Sequence, residues 1–351
     1  MMHRVKYLFA FILPAITLYC FWVAESYYWL PIAYAFIVVP IFDEVIPKDD
    51  YNLPKEKEEV VKNEWWFNIL LYLIVPAHFL VLYSFFTIDF AQLNRLELIW
   101  AIATTGLSCG VLGINVGHEL GHKNRWLDKI LAHTLLMSSL YMHFYIEHNY
   151  GHHKRVATKE DPATALRNET VYKFWFRSIV YSYISAWKIQ FQLLQNRNFF
   201  SLKNNMFYYH IIQLLWLAFI YFYFGAQVFI YYLIIAFLGI LLLETVNYIE
   251  HYGLLRKKKK GFYERTQAEH SWNSNHVFGR LVLFDLSRHS DHHYKSTRPY
   301  QILRYHENSP QLPSGYPTMM LLTLIPPLWF KVVHKTLDNF YKSINKSYET
   351  N

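Results

Sequence analysis

Six apolar stretches alternate with polar segments along the 351 residues of this chain. Five of them approach or reach the roughly 20 residues that a helix needs to cross a bilayer, and the second is the shortest. The stretches are Tyr7–Ala24, Tyr28–Phe42, Trp66–Phe86, Leu98–Val116, Phe207–Phe224 and Gln227–Val246. The pattern therefore predicts an all-α membrane protein with about six transmembrane helices.

Two more apolar stretches are predicted to lie at the membrane face without crossing it. Ile130–Ile146 contains two histidines and lies between two histidine-rich motifs, so we expect a helix packed against the bundle. Pro317–Val333 is interrupted by a pair of prolines, which favours an interfacial hairpin. The first stretch follows MMHRVK and resembles a signal peptide, but its length and the lack of a clear cleavage site favour a retained helix.

Positive charge is distributed unevenly between the two sides of this topology. Of the 34 Lys and Arg residues, only Arg95 falls in the loops around Glu25, Thr87–Glu97 and Ala226. Because cytoplasmic loops carry the excess of positive charge, the remaining segments and both termini are predicted to face the cytoplasm of a bacterial inner membrane. The two large polar segments flank the last two spans, so we expect one membrane-embedded domain, 1–351, with a cytoplasmic helical cap rich in histidine.

Composition removes several classes of protein. With 53% hydrophobic and 17% charged residues, the chain is too apolar for a typical soluble enzyme. Its net charge of +8 follows from the topology, and no nucleic-acid-binding signature accompanies it, so no nucleic-acid partner is expected. The two cysteines, Cys20 and Cys109, are too few for a four-cysteine iron site, so no fused rubredoxin is expected. The lysine run Lys257–Lys260 fits a solvated turn near lipid or a docking site for an acidic electron donor.

Nine of the 18 histidines fall in four short motifs: HELGHK, EHNYGHHKR, NYIEHYGL and SRHSDHHYK. Imidazole is the commonest protein ligand for transition metals, and one mononuclear site needs three or four ligands. Nine clustered imidazoles are too many for one ion, so the sequence predicts two metals. The nine are His118, His122, His148, His152, His153, His251, His289, His292 and His293.

The spacing suggests how these side chains are shared. His118 and His122 are four residues apart on one helix face, and His148 and His152 repeat that spacing. His153 points to a different side and is expected to reach the second ion. HELGH also matches the HExxH motif of zinc proteases, but that alternative leaves seven histidines without a role. Glu119 is expected instead to orient a ligand or to pair with a lysine.

The donor set leaves iron, copper and zinc open, and an apolar helix bundle favours redox chemistry with iron and oxygen over hydrolysis. Metal-bound imidazoles usually donate their second ring proton to a nearby acceptor. The candidates for this outer role are the carboxylates within or near the motifs: Glu147, Asp161, Glu250 and Asp291.

The motifs together resemble those of the integral-membrane alkane hydroxylases, or alkane 1-monooxygenases, in the membrane desaturase and hydroxylase superfamily. The similarity rests on GHELGHK, EHNYGHHKRVAT, EDPATA, NYIEHYGLLR, HSWNSNH and RHSDHHYKSTRPYQILR, and extends from about residue 7 to 334. NYIEHYGL distinguishes these hydroxylases from desaturases with similar histidine motifs. Ser287 and Tyr294 depart from the family pattern, and substrate range is the property that these two departures are expected to affect.

The resemblance implies that the nine histidines hold two non-haem irons. It implies hydroxylation of the terminal methyl of medium- to long-chain n-alkanes, with O2 as co-substrate. Electrons would come from a rubredoxin, reduced by a flavin-dependent NAD(P)H rubredoxin reductase. Alternatives are a related membrane diiron hydroxylase or desaturase acting on fatty acyl or alkyl-aromatic substrates, and a histidine-rich metal transporter. The small residues Ala33 and Ala35 of the second span are expected to line the substrate channel.

Overall fold

The computed structural model describes residues 2–23, 26–195 and 203–344. The loop around Glu25 and the two chain ends, whose side of the membrane was predicted, lie outside these residues. The helices are α1 (His3–Trp22), α2 (30–45), α3 (Lys55–Lys62), α4 (Trp65–Phe86), α5 (Arg95–Gly121), α6 (Trp126–Met137), α7 (144–155), α8 (Val171–Leu193), α9 (Asn205–Phe224), α10 (Ala226–His251), α11 (Val277–Val282), α12 (His289–Tyr294), α13 (Tyr316–Thr323) and α14 (Pro326–Ser343). Strands β1 (Lys258–Lys259) and β2 (Phe262–Tyr263) form a hairpin.

Five of the described helices are long and apolar enough to cross a membrane: α1, α4, α5, α9 and α10. The predicted all-α membrane architecture is therefore confirmed. The other predicted span forms α2, which is shorter and contains one π-helical turn, Tyr34–Val38. Its end is set by Ile46, which is extended (ψ 130°) because the residue before Pro47 avoids the helical region.

The helices α5 and α10 form the centre of the bundle. They approach closely at Gly239, where an added Cβ would lie 2.7 Å from the Cβ of Cys109. The start of α5 is fixed by a capping box, in which Asn94 accepts from the backbone of Glu97 and the Glu97 carboxylate accepts from the backbone of Asn94. This pair of helices carries two of the histidine motifs to the same end of the bundle.

The segments predicted at the membrane face form part of the cap. Residues 130–146 begin as α6, but that helix ends at Met137 and turns lead into α7. The proline-interrupted segment forms α13 and α14, with the two prolines in the first turn of α14. Buried Trp329, Val333 and Leu337 recur every four residues along α14 and pack it against the cap.

Large apolar side chains are exposed along the outer helices, as lipid contact requires. The helix α9 has only 11% of its most apolar stretch buried. The exposed side chains include Leu214 and Phe222 of α9 and Phe237 of α10. The chain is therefore a multi-pass membrane protein.

Candidate metal centre

The nine motif histidines come from four elements that meet at one end of the bundle. His118 lies in the last turn of α5 and His122 caps that helix, while His251 is the last residue of α10. The remaining six are carried by the short helices of the cap. Those on α7 are His148, His152 and His153, and those on α12 are His289, His292 and His293.

Five of these side chains form one group, which comprises His118, His122, His148, His153 and His292. Their Nε2 atoms follow one another at hydrogen-bonding distances. His292 lies 3.0 Å from His118, and His118 lies 3.1 Å from His122. His148 lies 3.1 Å from His122 and 2.9 Å from His153. All five ligand atoms lie within 4.8 Å of one another, a spread that suits one metal ion.

The other four side chains, His152, His251, His289 and His293, form a second group. The Nε2 atoms of His152 and His293 are 3.2 Å apart, and those of His251 and His289 are also 3.2 Å apart. The two groups are in contact, since the ring centroids of His153 and His293 are separated by 4.5 Å. The structure therefore offers two adjacent, all-imidazole sets of ligand atoms.

This grouping differs from the one expected on α7. The four-residue spacing predicted His148 and His152 on one face, with His153 turned towards the other ion. In the structure His148 joins His153, and His152 belongs to the other group. The physical reason is that Glu147–His152 forms a π-helix, which changes the angle between successive side chains.

Burial keeps most of these imidazoles neutral. Among those beyond the membrane-spanning helices, desolvation lowers the pKa of His122 to about 3. Desolvation also lowers the pKa of five others well below the ordinary value; these are His148, His153, His289, His292 and His293. Neutral imidazole is the form that binds metals, so the site exists in a ligand-ready state at neutral pH.

The acceptors around the rings test whether the site suits metal ions. Nδ1 of His152 lies 2.9 Å from the Asp161 carboxylate and donates to it, which leaves the Nε2 lone pair of His152 facing Nε2 of His293. Among the described residues, Nδ1 of His293 has no hydrogen-bond partner. The imidazole nitrogens of each group converge within 4.8 Å of one another, and imidazole is a donor that suits transition metals, so this donor set fits bound metal ions.

Asp161, in the segment after α7, is a carboxylate that forms a hydrogen bond with a histidine of the second group. Burial works to raise the pKa of Asp161, but the charge and the hydrogen bond of His152 lower it below its ordinary value. Burial likewise opposes protonation of His152, but Asp161 raises the pKa of His152 overall. Asp161 therefore stabilises positive charge at the His152 ring, which a metal ion at Nε2 would supply in place of a proton.

Glu250 is the second carboxylate beside a motif histidine. Its Oε1 lies 3.2 Å from Nδ1 of His289, although the angle is not that of a good hydrogen bond. The same oxygen accepts from the Tyr316 hydroxyl at 2.9 Å. Tyr316 was not singled out from the sequence, because a single tyrosine outside the histidine motifs carries no signal of its own.

The other two candidate carboxylates bond elsewhere. Glu147 accepts from Arg155 at 2.6 Å, and burial raises the pKa of Glu147 to about 7 against the influence of that cation. Asp291 accepts from Arg298 at 2.6 Å and lies 2.7 Å from Nε2 of His306. Neither carboxylate has a hydrogen bond to a motif histidine within the described part of the chain.

Glu119 and a third polar cluster are separate from the nine histidines. Glu119 lies 3.8 Å from Lys123, which is the lysine pairing expected for it.

Glu264, Glu269 and His270 also lie within metal-binding distance of one another. There Nδ1 of His270 accepts from the Gln267 backbone, so Nε2 carries the proton and faces Glu264 at 3.2 Å. That tautomer suits a hydrogen bond to a carboxylate and not a metal.

An apolar cavity starts at the histidines and extends into the bundle. At one end it is bordered by His118, His148 and His289, and further away by Tyr34 and Ala35 of α2. Ala35 therefore lies where the channel was expected, whereas Ala33 is not among the described residues that border the cavity. Asn115 borders the histidine end and was missed because a lone amide in an apolar span carries no motif.

The two departures from the family pattern are not among the described residues that border this cavity. The Ser287 hydroxyl is buried and donates to the backbone of Ser274 at 3.1 Å. Tyr294 is 42% exposed, and its ring packs against His306. Ser287 is therefore part of the packing of the cap, and Tyr294 part of its surface.

Comparison with known proteins gives consistent matches over most of the chain. The fatty acid desaturase family model matches residues 96–323. The alkane 1-monooxygenase of Acinetobacter baylyi is 40% identical over 310 residues, which are 87% of this chain and 76% of that protein. The alkane 1-monooxygenase of Pseudomonas putida is 38% identical over 329 residues, 91% of this chain and 81% of that protein.

A more distant relative is named for a different substrate. The xylene/toluene monooxygenase hydroxylase component of Pseudomonas putida is 29% identical over 340 residues, 93% of this chain and 87% of that protein. The alkane 1-monooxygenases are more similar over a comparable length. The chain therefore belongs to the alkane 1-monooxygenase family within the membrane fatty acid desaturase superfamily, as its histidine motifs predicted.

Proposed function

We propose that this protein is a non-haem diiron monooxygenase that converts medium- to long-chain n-alkanes to 1-alkanols. The observation that carries the proposal is the direct contact between two groups of buried imidazoles and an apolar cavity. The reaction consumes an alkane, O2, two electrons and two protons, and releases a 1-alkanol and water. Membership of the alkane 1-monooxygenase family supports this reaction.

All nine histidines would hold the metals, five at one iron and four at the other. Imidazole donors suit iron, copper and zinc, but zinc has no redox chemistry and so would not support a monooxygenase. When bound, the irons supply the redox chemistry that activates O2 for insertion of one oxygen atom into a C–H bond. Asp161 would hold His152 in the tautomer with a free Nε2. Glu250 lies beside Nδ1 of His289 without a good hydrogen bond to it.

The cavity would bind the substrate through burial alone. An alkane has no polar group, so its binding free energy comes from apolar contact, about 0.8 kcal/mol for each methylene. A chain that enters from the lipid and fills the cavity brings one end towards His118, His148 and His289. Placing a chain end there accounts for oxidation of a terminal methyl without any hydrogen bond to the substrate.

We infer that electrons enter from the opposite side, where the five-histidine group is partly exposed. His122 and His153 are the two motif histidines with appreciable exposure. Three exposed cations lie within three positions of a motif histidine, namely Arg125, Lys154 and Lys295. A basic surface beside a redox site suits an acidic small redox protein, and a rubredoxin supplied by a flavin-dependent NAD(P)H reductase has that role in this proposal.

The same face would be cytoplasmic in a bacterial inner membrane. The positive residues concentrate on the side of the histidines, which supports this orientation. A cytoplasmic site is also where NAD(P)H-dependent reductases and a soluble rubredoxin are available. Orientation can be tested separately, by the accessibility of a cysteine introduced at Lys154 in intact cells.

The decisive test of the activity is product analysis with a reconstituted system. Purified protein in lipid nanodiscs is combined with rubredoxin, its reductase, NADH and n-alkanes of 6 to 16 carbons. We expect 1-alkanols, and a His289→Asn variant as the matched control should form none. Desaturated acyl chains formed from acyl-CoA would favour a membrane desaturase. Benzylic alcohols formed from xylene as the main product would favour a hydroxylase of alkyl-aromatic substrates, an alternative supported by the similarity to the xylene/toluene monooxygenase component.

A further inference from the structure

A row of aromatic rings in contact leads from a motif histidine to the protein surface. The ring of His148 stacks on Phe144 with centroids 4.8 Å apart, and Phe144 stacks on Tyr141 at 6.0 Å. Tyr141 contacts His143 at 4.4 Å, and His143 contacts Tyr183 at 5.3 Å. Tyr141 is buried, whereas Tyr183 is 38% exposed. These five residues, the aromatic row, therefore connect the five-histidine group to an exposed phenol.

The two tyrosines are the side chains of the aromatic row that can be oxidised. Phenylalanine and imidazole rings lose an electron far less readily than a phenol. A phenol is a weak acid, but it becomes a strong acid once it has lost an electron. It is therefore oxidised readily only where a hydrogen-bonded base accepts its proton. A redox role for these tyrosines requires such a base at each hydroxyl.

The Tyr141 hydroxyl has a carboxylate as its base. It donates to Oε1 of Glu244, a residue of α10, at 2.8 Å. The Asn247 amide donates to Oε2 of the same side chain at 3.4 Å. Both oxygens thus accept hydrogen bonds, as those of an ionised carboxylate do. Tyr141 and Glu244 are both buried, so the phenol proton can pass to Glu244 without entering water.

The Tyr183 hydroxyl has an imidazole as its base, and the tautomer of that ring is fixed. Nδ1 of His210 lies 2.6 Å from the Met206 carbonyl, so this nitrogen carries the proton and donates it. Nε2 of His210 is therefore an acceptor, and the Tyr183 hydroxyl donates to it at 2.8 Å. Tyr248 provides the contrast, since its hydroxyl donates to the backbone carbonyl of Glu169, which is not a base.

The proposed reaction creates a use for such a path. Hydroxylation takes two electrons from the donor and two from the C–H bond of the alkane. When O2 is reduced with no alkane bound, the second pair of electrons has no source in the substrate. Oxidising equivalents then remain among buried side chains, which they damage unless another electron source discharges them.

We propose that the aromatic row is an electron-transfer path through which Tyr141 and Tyr183 discharge the metal centre when O2 is reduced without an alkane. This proposal rests on the proposed function. Tyr141 gives one electron to the centre while its proton passes to Glu244. Tyr183 then reduces Tyr141, which regains its proton, and the proton of Tyr183 passes to His210.

The exposed end of the aromatic row is where the path is refilled. A small thiol, of the kind that keeps the cytoplasm reducing, returns the electron to Tyr183, which regains its proton from His210. Two such transfers oxidise two thiols to one disulfide. The sum is balanced: O2, two donor electrons, two protons and two thiols give two waters and one disulfide.

Electron paramagnetic resonance tests the path by a readout other than activity. Iron-loaded protein is reduced by rubredoxin, its reductase and limiting NADH, mixed with O2 without alkane, and frozen. We expect a tyrosyl radical signal that narrows when the protein contains ring-deuterated tyrosine. The signal should be lost in Tyr141→Phe and kept in the matched control Tyr248→Phe. An equal signal in Tyr141→Phe would overturn the proposal.

Two further variants test the base and the exit. Glu244→Gln retains a side chain of similar size but removes the base, so it should also lose the radical. Tyr183→Phe should keep a radical at Tyr141 that added thiol no longer shortens, as it does in the wild type. The same effect of thiol in both proteins would contradict an exit at Tyr183.

Product analysis on the same samples separates the two proposals. A wild-type protein that forms no 1-alkanol from any n-alkane would contradict the proposed function and, with it, the premise of the path. A protein that forms 1-alkanol, and consumes O2 without alkane, but shows no tyrosyl radical would contradict the path alone.

Discussion

Nδ1 of His152 lies 2.9 Å from the carboxylate of Asp161, and this contact directs Nε2 of the same ring towards His293. This hydrogen bond connects the cap segment after α7 to the four-histidine group, which comprises His152, His251, His289 and His293. Asp161 is held in turn by the Thr164 hydroxyl at 2.6 Å, so its direction is set by the loop and not by the histidine alone. In a ring fixed in this way, Nδ1 is hydrogen-bonded to Asp161 and Nε2 faces the other histidines of the group.

Loss of that carboxylate should weaken metal binding at the four-histidine group. For Asp161→Asn we expect affinity at one of the two metals to fall by about 10- to 100-fold, since outer-shell partners of ligating histidines have effects of this size. Titration with iron, monitored by Mössbauer spectroscopy, measures the affinity of the two sites. Glu160→Gln, at the neighbouring exposed carboxylate, is the matched control and should bind as the wild type does. Unchanged metal affinity in Asp161→Asn would show that the contact is only structural.

The length of the accepted alkane should depend on Ala35. Ala35 borders the cavity, so Ala35→Trp fills part of it and should shorten the longest n-alkane oxidised by several carbons. Product profiles over an alkane series measure this. Ala33→Trp lies on the same helix away from the cavity and is expected to leave the profile as it is. A similar profile in both variants would remove Ala35 from the substrate path.

Acid should destabilise the metal-free protein. The pKa of six motif histidines beyond the spans is lowered by burial, so the folded state holds them neutral. Their stabilising contribution is complete above the unfolded pKa of about 6.5 and is lost as pH falls towards the folded values, by about 1.4 kcal/mol per pH unit for each proton taken up. His152, whose pKa is raised, acts in the opposite direction.

We therefore expect the melting temperature of chelator-treated protein to fall between pH 7.5 and pH 5. Differential scanning fluorimetry in detergent measures it. His153→Asn, with one imidazole fewer, should show a smaller decrease. A melting temperature that stays constant over this range would mean that the imidazoles are not held neutral by burial.

Charge reversal beside the exposed histidines should weaken the reaction with rubredoxin. The double variant Lys154→Glu/Lys295→Glu is expected to raise the KM for rubredoxin at least tenfold at low salt, with a smaller difference at high salt because of screening. Lys258→Glu/Lys259→Glu on the exposed β-hairpin is the comparison. If only the hairpin variant weakens the reaction, the donor docks at the lysine run and not beside His153.

The positions of the nine histidines were largely predictable because their motifs combine helical spacing with the ends of predicted spans. Their division into five and four was not, since it depends on a π-helix at Glu147–His152. Asp291 shows a related limit. It stands beside His292 in sequence, but adjacent residues on a helix point in different directions, and it bonds to Arg298 and His306.

The cavity was the least predictable feature. Apolar residues in a span face lipid, protein or a channel, and composition alone does not distinguish these surroundings. Ala33 and Ala35 were equally plausible from the sequence, and only Ala35 borders the cavity among the described residues. Tyr34, between these two alanines, also borders the cavity, and a search for small residues overlooks it.

Metal analysis of the active protein tests the central claim most directly. Inductively coupled plasma mass spectrometry is applied to protein purified without added metal and shown to oxidise an alkane. The account predicts about two irons per chain and far less than one zinc. Near-stoichiometric zinc, or a single iron in fully active protein, would contradict it.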